Sequence, residues 1–409
     1  MEHKKLAMGV LFILLVAGVA SVSGSPPDPS SAHSQGVHER TLDLPGWQQV
    51  NLNGFGDPNT SQVSALEIFS SQIYAGTSNS MDGARIFRSP DGLTWTPVTD
   101  PGFGIAHDIR PPAILDLTVF NTRLYASTGR GDGPGQIWRS VNGSIWAPMT
   151  ITGFNDPDTV DISALTVYNG WIYAGATNLI SGAQIWRSFS GDNNTWTKVA
   201  PTLPGTNGTT ITAFAVFNSF LYAAVESQGP VQIWRSSTGT DWTAVVSNGF
   251  GNSLTKATGG MAVFAGYLYV GAGNETVGAQ LWRTADGVTW EQAITPGFGD
   301  PHNQKVEVVF VFQNQLYVSV KNIQTGMELW RSADGALWEQ VNLDGFGDLN
   351  NSGSNWSNAT AELLTDLYVG TSNVLDGGEL WRMQVQSPPS PTPTPTPPPL
   401  PMYMPLVQR

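Results

Sequence analysis

The stretch Gln280–Trp290 reads QLWRTADGVTW, in which an aromatic residue and Arg are followed by a short turn and a Trp. Close copies are IFRSPDGLTW (Ile86–Trp95), IWRSVNGSIW (Ile137–Trp146), IWRSSTGTDW (Ile233–Trp242) and LWRSADGALW (Leu329–Trp338). The repeated arginine recurs at intervals of 48 or 51 residues, as Arg88, Arg139, Arg187, Arg235, Arg283, Arg331 and Arg382. A repeat of this length indicates a propeller or another repeat array.

Each repeat contains four short runs rich in β-branched and aromatic residues. In the third repeat these runs are 162–168, 171–177, 183–188 and 195–199. Asn169-Gly170 separates the first two runs and suits a tight hairpin, because both residues tolerate positive φ. Since four antiparallel strands make one propeller blade, the sequence predicts an all-β fold, a seven-bladed β-propeller of four-stranded blades over residues 45–386.

The seventh repeat lacks its fourth run, because it stops after ELWRMQV (Glu379–Val385). The missing run is found at the other end of the repeat region, where GWQQVNLNGFGD (Gly46–Asp57) matches EQVNLDGFGD (Glu339–Asp348). We therefore expect strand 46–50 to pair beside strand 379–385. This pairing would close the ring and cover the strand edges that an open array exposes.

Composition limits the classes of function. The chain has 409 residues, a net charge of −13 and only 12% charged residues, and no basic stripe is visible, which argues against a protein that tracks nucleic-acid phosphates. With no cysteine there is no disulfide framework and no thiolate metal site. An exported protein without disulfides is more typical of bacteria than of animal secretion.

The two ends of the chain differ from the repeats. Residues 1–23 have two lysines, an apolar run and small residues, the layout of a signal peptide, and an uncleaved N-terminal anchor is the alternative. Residues 24–44 are interpreted as a flexible linker. Residues 387–409 form a Pro/Thr-rich stalk with a short apolar tail that serves as a retention signal or is simply unstructured. These features predict a secreted, extracellular or cell-envelope monomer with no membrane span in the mature chain.

The turns SPDGLTW (Ser89–Trp95), TADGVTW (Thr284–Trp290) and SADGALW (Ser332–Trp338) resemble the Asp-box, or BNR-like, repeat of sialidase-like β-propellers. They are one residue shorter between Asp and Gly, and other repeats have Asn142 or Thr238 instead of Asp. The resemblance implies that this turn has a structural role and holds the two outer strands of the repeat together. None of the sialidase catalytic residues can be carried over, because the aromatic–Arg–Ile–Pro motif is absent and both Arg and Tyr belong to the repeat.

The repeated Arg is therefore interpreted as architecture. Strands lie about 4.8 Å apart, so seven arginines in equivalent third strands cannot meet at one substrate. We expect each guanidinium to bond loop carbonyls or a turn carboxylate within its own repeat. The repeated Tyr of the second strand is likewise interpreted as core.

The loops between repeats carry a Gly-Phe-Gly-Asp signature whose last residues include Asp57, Asp300 and Asp348. One interpretation is a tight bend in which Phe packs on the rim and Asp caps the turn. The other is a set of shallow sites for sugar or a cation. Trp356, in a loop that departs from the repeat, is a second candidate for stacking on a sugar ring, and the alternative is a Trp that anchors its own loop. The ligand-binding candidates are thus Trp356, Asp57, Asp300 and Asp348, all on the face of the long loops.

Catalytic and metal signals are weaker. Asp116 stands where the other repeats have small or apolar residues, and with Glu307 or Glu67 it is a candidate axial carboxylate pair for a glycoside hydrolase or lyase. An inner-strand Asp that bonds backbone is the alternative. Asp156, Asp158 and Asp161 fall in one loop and are a candidate Ca²⁺ site, without the spacing of an EF-hand.

Taken together, the sequence predicts a secreted or surface-displayed propeller that acts as a non-catalytic binding or scaffold module for a glycan or protein. The competing prediction is a hydrolase or lyase with an axial site near Asp116. No nucleic-acid partner and no cofactor other than Ca²⁺ is expected.

Overall fold

The computed structural model describes residues 46–105, 111–129, 131, 133–200, 203, 210–274, 276–353 and 359–385. These residues form antiparallel β-sheets with short 3₁₀ turns, so the all-β prediction is confirmed. The predicted signal peptide, the linker and the C-terminal stalk lie outside them. Within the described residues, no helix has the length and apolar character needed to span a bilayer.

Every repeat begins with two strands joined by a tight turn. The first strands are β2 (Thr60–Phe69), β6 (Ala113–Phe120), β10 (Thr159–Tyr168), β14 (Thr210–Phe217), β18 (Thr255–Phe264), β22 (Asn303–Phe312) and β27 (Thr360–Leu363), the last preceded by β26 (Ser352–Gly353). The second strands are β3 (Gln72–Asn79), β7 (Arg123–Gly129), β11 (Trp171–Asn178), β15 (Phe220–Glu226), β19 (Tyr267–Asn274), β23 (Gln315–Asn322) and β28 (Asp366–Ser372). Both carry the apolar and β-branched residues that build the core.

Two shorter strands complete each repeat. The third strands are β4 (Ile86–Ser89), β8 (Ile137–Ser140), β12 (Gly182–Ser188), β16 (Gln232–Ser236), β20 (Gly278–Thr284), β24 (Glu328–Ser332) and β29 (Leu380–Met383). The fourth strands are β5 (Thr96–Pro97), β9 (Trp146–Thr150), β13 (Thr197–Ala200), β17 (Thr243–Val246), β21 (Glu291–Gln292) and β25 (Glu339–Gln340). Within the described residues, four of the connecting loops contain a 3₁₀ turn, at Asn53–Gly56, Pro101–Gly104, Pro296–Gly299 and Asp344–Gly347.

The strand order within a repeat follows the chain, as in the four-stranded sheet β10-β11-β12-β13. The seventh repeat obtains its fourth strand from the start of the described chain: β1 (Trp47–Gln49) pairs antiparallel with β29, with Trp47 opposite Met383. The Nε1 of Trp47 also donates to the Val341 carbonyl at 2.7 Å. The pairing predicted between these two segments is therefore present.

The hydrophobic core lies between repeats rather than within them. In the described residues, seven apolar clusters are each shared by two consecutive repeats. One of them joins the last repeat to the first, where Leu363 and Tyr368 pack with Val63 and Ile73. Full burial of such side chains contributes about 1.5 to 3 kcal/mol each, so each repeat is stabilised mainly by its neighbours.

The repeated Tyr of the second strand is buried against a turn glycine of the following repeat. The pairs are Tyr74–Gly143, Tyr125–Gly191, Tyr173–Gly239, Tyr222–Gly287, Tyr269–Gly335 and Tyr368–Gly92. A Cβ at any of these glycines would lie 1.8 to 2.3 Å from the Tyr hydroxyl. The turn therefore requires Gly both for its positive φ and for the close approach of the neighbouring repeat. The Tyr is core, as the sequence predicts.

The Phe of each Gly-Phe loop stacks on the third strand of the repeat that follows. The stacked pairs and their ring-centroid distances are Phe55–Phe87 (4.0 Å), Phe103–Trp138 (4.3 Å), Phe154–Trp186 (4.5 Å), Phe250–Trp282 (4.7 Å), Phe298–Trp330 (4.3 Å) and Phe346–Trp381 (4.7 Å). Each Phe also contacts a Trp at or just before the start of the fourth strand, in an edge-on arrangement except for the tilted pair Phe154–Trp196. Trp47 takes that place beside Phe346 at 5.0 Å. We call these Phe residues and their third- and fourth-strand partners the aromatic rim.

Candidate functional site

The repeated arginines make separate structural contacts, but not always within one repeat. Arg283 and Arg331 bond the fourth-strand carboxylates Glu291 and Glu339 of their own repeats at 2.7 and 2.6 Å. Arg139, in contrast, reaches Asp192 in the turn of the next repeat at 2.5 Å. The expectation that each guanidinium stays within its own repeat is wrong here, because the turn of the following repeat packs against the third strand.

The turn aspartates organise their own hairpins. The Oδ1 of Asp91 accepts hydrogen bonds from the backbone N–H groups of Thr94 and Leu93 at 2.8 and 2.9 Å and from the Ser89 hydroxyl at 2.9 Å. The hydrogen bonds from Thr94 and Leu93 lower the pKa of Asp91 to about 2. All of these hydrogen bonds lie within the turn, so the Asp91 carboxylate stabilises the turn.

The loop aspartates predicted as ligand contacts hold two loops together. The Oδ2 atoms of Asp57 and Asp348 accept hydrogen bonds from the side-chain amides of Asn79 and Asn373 at 2.8 and 2.9 Å. Asp300 makes the same bond to Asn322 at 3.1 Å, while its Oδ1 accepts from His302. In these three repeats, the Asn at or just after the end of the second strand is thereby fixed to the loop that precedes its repeat. Ligand contacts by these three aspartates stay a prediction.

The other predicted site residues are dispersed. Asp156 makes the equivalent bond to Asn178 at 2.8 Å, and its Oδ1 accepts from the backbone N–H of Asp158 at 3.1 Å, while Asp161 lies on β10. Among the described residues, no group of three or more His, Cys, Asp or Glu side chains is placed to hold a metal ion. Trp356 lies outside the described residues.

A cavity of about 470 Å³ lies where the seven first strands approach their turns into the second strands. We call it the axial cavity. Its lining comes from all seven repeats: Leu66, Glu67, Ile68, Asp116, Leu117, Thr118, Ala164, Leu165, Thr166, Ala213, Phe214, Met261, Ala262, Val309, Phe310, Thr360, Ala361 and Glu362. Three of these residues are acidic and none is basic.

Asp116 and Glu67 both line the axial cavity, but their carboxyl groups accept hydrogen bonds from different partners. The Oδ2 of Asp116, a 2% exposed residue, accepts a hydrogen bond from the backbone N–H of Leu165 in the next repeat at 2.6 Å. The Oε1 of Glu67 accepts one from the N–H of Ile68 at 2.8 Å. Burial raises the pKa of Glu67 to about 7, against a smaller lowering by that bond. Asp116 is thus held by the backbone of the next repeat, whereas the pKa of Glu67 is close to neutrality.

Glu307, the other predicted axial carboxylate, is not part of the cavity lining. It is 1% exposed at a bulge of β22, between the paired residues Val306 and Val308. Among the described residues, neither of its carboxylate oxygens has a hydrogen-bond partner, and burial raises its pKa. It lies against Gly353, where a Cβ would come within 1.9 Å of its Oε2.

A second concavity, of about 650 Å³, lies at the opposite ends of the first and second strands, beside the long loops. We call it the lysine cleft, because its lining includes Lys256, Lys305 and Lys321 together with Glu226. No motif in the sequence predicts this cleft. The available signal was the rarity of lysine: besides Lys198, these are the only lysines in the described residues, and they occur in two adjacent repeats.

None of the protein-family models matches the chain, and no curated protein matches it either. Solved structures of Trypanosoma rangeli sialidase show structural similarity at low identity. The complex with the inhibitor DANA is 13% identical with a TM-score of 0.44, and the similarity covers 83% of this chain and 59% of that one. The complex with sialic acid is 13% identical with a TM-score of 0.45, covering 83% and 58%.

A third structure, the covalent intermediate with 2,3-difluorosialic acid, is 11% identical with a TM-score of 0.46, covering 83% of this chain and 59% of that one. The chain thus spans less than two thirds of the length of these sialidases.

Proposed function

We propose that residues 46–385 form a closed seven-bladed β-propeller. The support is the cyclic order of contacts: seven apolar clusters each join neighbouring repeats, and Tyr368 of the last repeat packs on Gly92 of the first. The pairing of β1 with β29 supplies the seventh repeat with a fourth strand. In this arrangement the axial cavity is the mouth of the central channel.

The composition of the chain ends supports the localisation we propose. Residues 1–23 act as a signal peptide and the Pro/Thr-rich segment 387–409 as a stalk, so that a monomeric propeller is secreted or displayed at a bacterial cell surface. The test is fractionation of the native bacterium, followed by N-terminal sequencing of the protein. A mature protein that begins after residue 23 in the extracellular or envelope fraction supports the proposal, and an intact cytoplasmic chain contradicts it.

The function we propose is non-catalytic binding of a glycan in the axial cavity. The single observation that carries it is the lining, in which Glu67, Asp116 and Glu362 stand among apolar side chains that include Phe214 and Phe310. Carboxylate oxygens accept hydrogen bonds from sugar hydroxyls, and aromatic or apolar walls cover the C–H faces of a sugar ring. All of these groups lie on the first strands of their repeats.

The experiment is a glycan-array screen of the full chain with two matched variants. Thr118→Trp places a large side chain inside the axial cavity, whereas Thr197→Trp places it on the exposed fourth strand β13. We expect binding that Thr118→Trp abolishes and Thr197→Trp retains. Equal binding by both variants, or no bound glycan at all, rejects the axial glycan site and leaves a protein ligand as the next candidate.

The same screen tests the long-loop residues that were predicted from the sequence. If Trp356 contacts the glycan, Trp356→Ala weakens binding while Thr118→Trp does not. That result would move the ligand to the long-loop face, where the loops of Asp57, Asp300 and Asp348 also lie. The two variants thus separate the two faces of the proposed propeller.

A glycoside hydrolase is the second candidate, and one observation favours it. The pKa of Glu67, raised to about 7 by burial, suits a general acid, and Asp116 and Glu362 line the same cavity. Glycosidases pair a protonated acid with an ionised carboxylate in this way. Release of reducing ends from any glycan bound on the array, lost in Glu67→Gln, would establish hydrolysis. Binding without release establishes the non-catalytic module.

A further inference from the structure

The third strand of the first repeat departs from a pattern that the other six repeats share. In those repeats Gln or Glu stands two residues before the third-strand Trp, and the Trp Nε1 donates a hydrogen bond to it. The six pairs, with distances of 2.8 to 3.2 Å, are Gln136–Trp138, Gln184–Trp186, Gln232–Trp234, Gln280–Trp282, Glu328–Trp330 and Glu379–Trp381. The first repeat has Arg85 and Phe87 at these two positions. Both members of the pair are therefore replaced together.

This replacement leaves hydrogen-bond donors available on Arg85. Its backbone N–H donates to the Thr77 hydroxyl at 3.1 Å. Within the described part of the chain, its half-buried guanidinium has no hydrogen-bond or ion-pair partner. A guanidinium carries five N–H donors and no acceptor, and the Phe87 ring offers it no polar atom. The donors of Arg85 can thus serve a ligand.

Arg85 lines a groove between β1 and the outer strands of the first repeat, which we call the Arg85 groove. Its volume is about 610 Å³, against about 440 Å³ for the equivalent groove between the fifth and sixth repeats. Phe55, Leu93 and Trp95 supply aromatic and aliphatic surface, and the exposed Gln48 on β1 adds an amide group. The groove therefore combines hydrogen-bond donors with apolar surface.

A proline-rich segment has the complementary chemistry. Residues 387–401 read SPPSPTPTPTPPPLP and include no charged residue. Because proline has no N–H group, the backbone carbonyls of such a segment need donors from elsewhere. Proline-rich segments in the polyproline II conformation bind in grooves lined by aromatic residues, and this preformed conformation keeps the entropic cost of binding low.

The same segment begins close to the groove. β29 ends at Met383, which lies opposite Trp47 on β1. Since neighbouring strands are about 4.8 Å apart, the chain leaves the sheet one strand away from the groove. Residues 387–401 reach about 45 Å in the polyproline II conformation, whereas residues 48–52 of the groove span about 13 Å. The segment is therefore long enough to pass the start of β1 and lie in the groove.

We propose that the Pro/Thr-rich segment 387–401 binds in the Arg85 groove of its own chain. Its prolines pack on Phe55, Leu93 and Trp95, and its backbone carbonyls accept hydrogen bonds from Arg85 and Gln48. This contact holds the segment against the first and last repeats, and so sets the direction in which the segment leaves them. The proposal requires no ligand in the axial cavity.

The test uses the absence of cysteine from the chain. Gln48→Cys and Thr394→Cys together place one thiol in the groove and one in the segment, and the full chain is oxidised mildly at low protein concentration. The control pairs Thr394→Cys with Gln292→Cys, because Gln292 is also exposed and lines the groove between the fifth and sixth repeats. We expect an intramolecular disulfide, identified by mass spectrometry, to form at least about tenfold faster in the first pair.

The decisive variant restores the pattern of the other repeats. Arg85→Gln with Phe87→Trp rebuilds the hydrogen-bonded pair and removes the guanidinium, while the segment still begins at the same place. Loss of the charge-assisted hydrogen bonds should slow cross-linking of Gln48→Cys to Thr394→Cys by about tenfold. Arg88→Gln, on the same strand, is the matched control and should leave the rate unchanged. Melting temperatures of the reduced chains show that each variant is folded.

Three results would overturn the proposal. One is an unchanged rate after Arg85→Gln with Phe87→Trp, which would show that the tether alone brings the thiols together. Another is covalent dimers in place of the intramolecular disulfide, which would assign the groove to the segment of a second copy. The last is equally slow cross-linking of both cysteine pairs. Loss of axial binding in Thr118→Trp does not alter these rates, so the two proposals fail independently.

Discussion

The aromatic rim and the lysine cleft belong to the same repeats but follow opposite rules. The rim recurs in six loops with nearly the same stacking distance, from 4.0 to 4.7 Å. The cleft occurs once among the described residues, and the direct opposition of Lys305 and Lys321 disfavours its own strand pairing. Features that recur in every repeat stabilise the fold, whereas a feature that departs from the repeat and costs stability points to binding.

The largest expected effect is on the rim. Phe298 stacks on Trp330 and meets the edge of Trp338, so Phe298→Ala should lower the free energy of unfolding by about 3 kcal/mol. The control is Phe189→Ala, since Phe189 is 58% exposed and should cost less than 1 kcal/mol or so. Urea denaturation followed by Trp fluorescence measures both. Similar losses for the two variants would contradict a stabilising rim.

The second largest effect on stability is expected at Gly143, where two neighbouring repeats are in contact. A Cβ there would lie 1.9 Å from the Tyr74 hydroxyl, whereas at Gly170, which also has positive φ, it would meet nothing within 4 Å. Gly143→Ala should therefore cost about 2 kcal/mol or more beyond the cost of Gly170→Ala. In the Gly143→Ala background, Tyr74→Phe removes the clashing oxygen and should recover part of the loss. Equal melting temperatures for the two alanine variants would show that only the backbone conformation matters.

The axial cavity gives a pH-dependent effect of intermediate size. Because burial raises the pKa of Glu67 from 4.5 to about 7, the folded chain binds more protons than the unfolded chain between these values. The free energy of unfolding therefore falls as pH rises through this window, by about 3 kcal/mol at most. Glu67→Gln should flatten this dependence, as measured by denaturation from pH 4 to 8. An identical slope in wild type and variant would assign the pH dependence to other groups.

The smallest effect belongs to the repeated arginines. The carboxylate of Glu339 is 60% exposed where it bonds Arg331, and exposed ion pairs contribute about 0 to 1 kcal/mol. Glu339→Gln should therefore change the melting temperature only slightly, and added salt should reduce the difference further. A loss comparable to that of Phe298→Ala would mean that the arginine contacts rank with the rim as stabilising elements.

The sequence predicted the parts of the fold that are local and repeated. Hairpin signals such as Asn169-Gly170 mark the turns, and the resemblance between the Gly46 and Glu339 segments indicated the pairing of β1 with β29. The exchange of contacts between repeats was harder to foresee. Arg139 reaches a turn of the following repeat because of the way neighbouring sheets pack, and no spacing within one repeat encodes that packing.

The candidate sites were less predictable because they depend on distant residues. Asp116 was recognised by its departure from the repeat, and it does line the axial cavity. Glu307 shows the same kind of departure yet lies buried outside that lining, because its bulge position directs the side chain between repeats. The lysine cleft is lined by the ends of strands from the fourth, fifth and sixth repeats, so no local sequence motif predicts it.

The pairing of β1 with β29 also affects the order in which contacts form during folding. Trp47 and Val341, joined by a hydrogen bond, are 294 residues apart in sequence, so this contact has a high entropic cost and forms late during folding. Until it forms, β29 presents an unpaired edge. The first strand of another copy has the same sequence as β1 and can occupy that edge, so we expect misassembly at high concentration to occur by strand exchange.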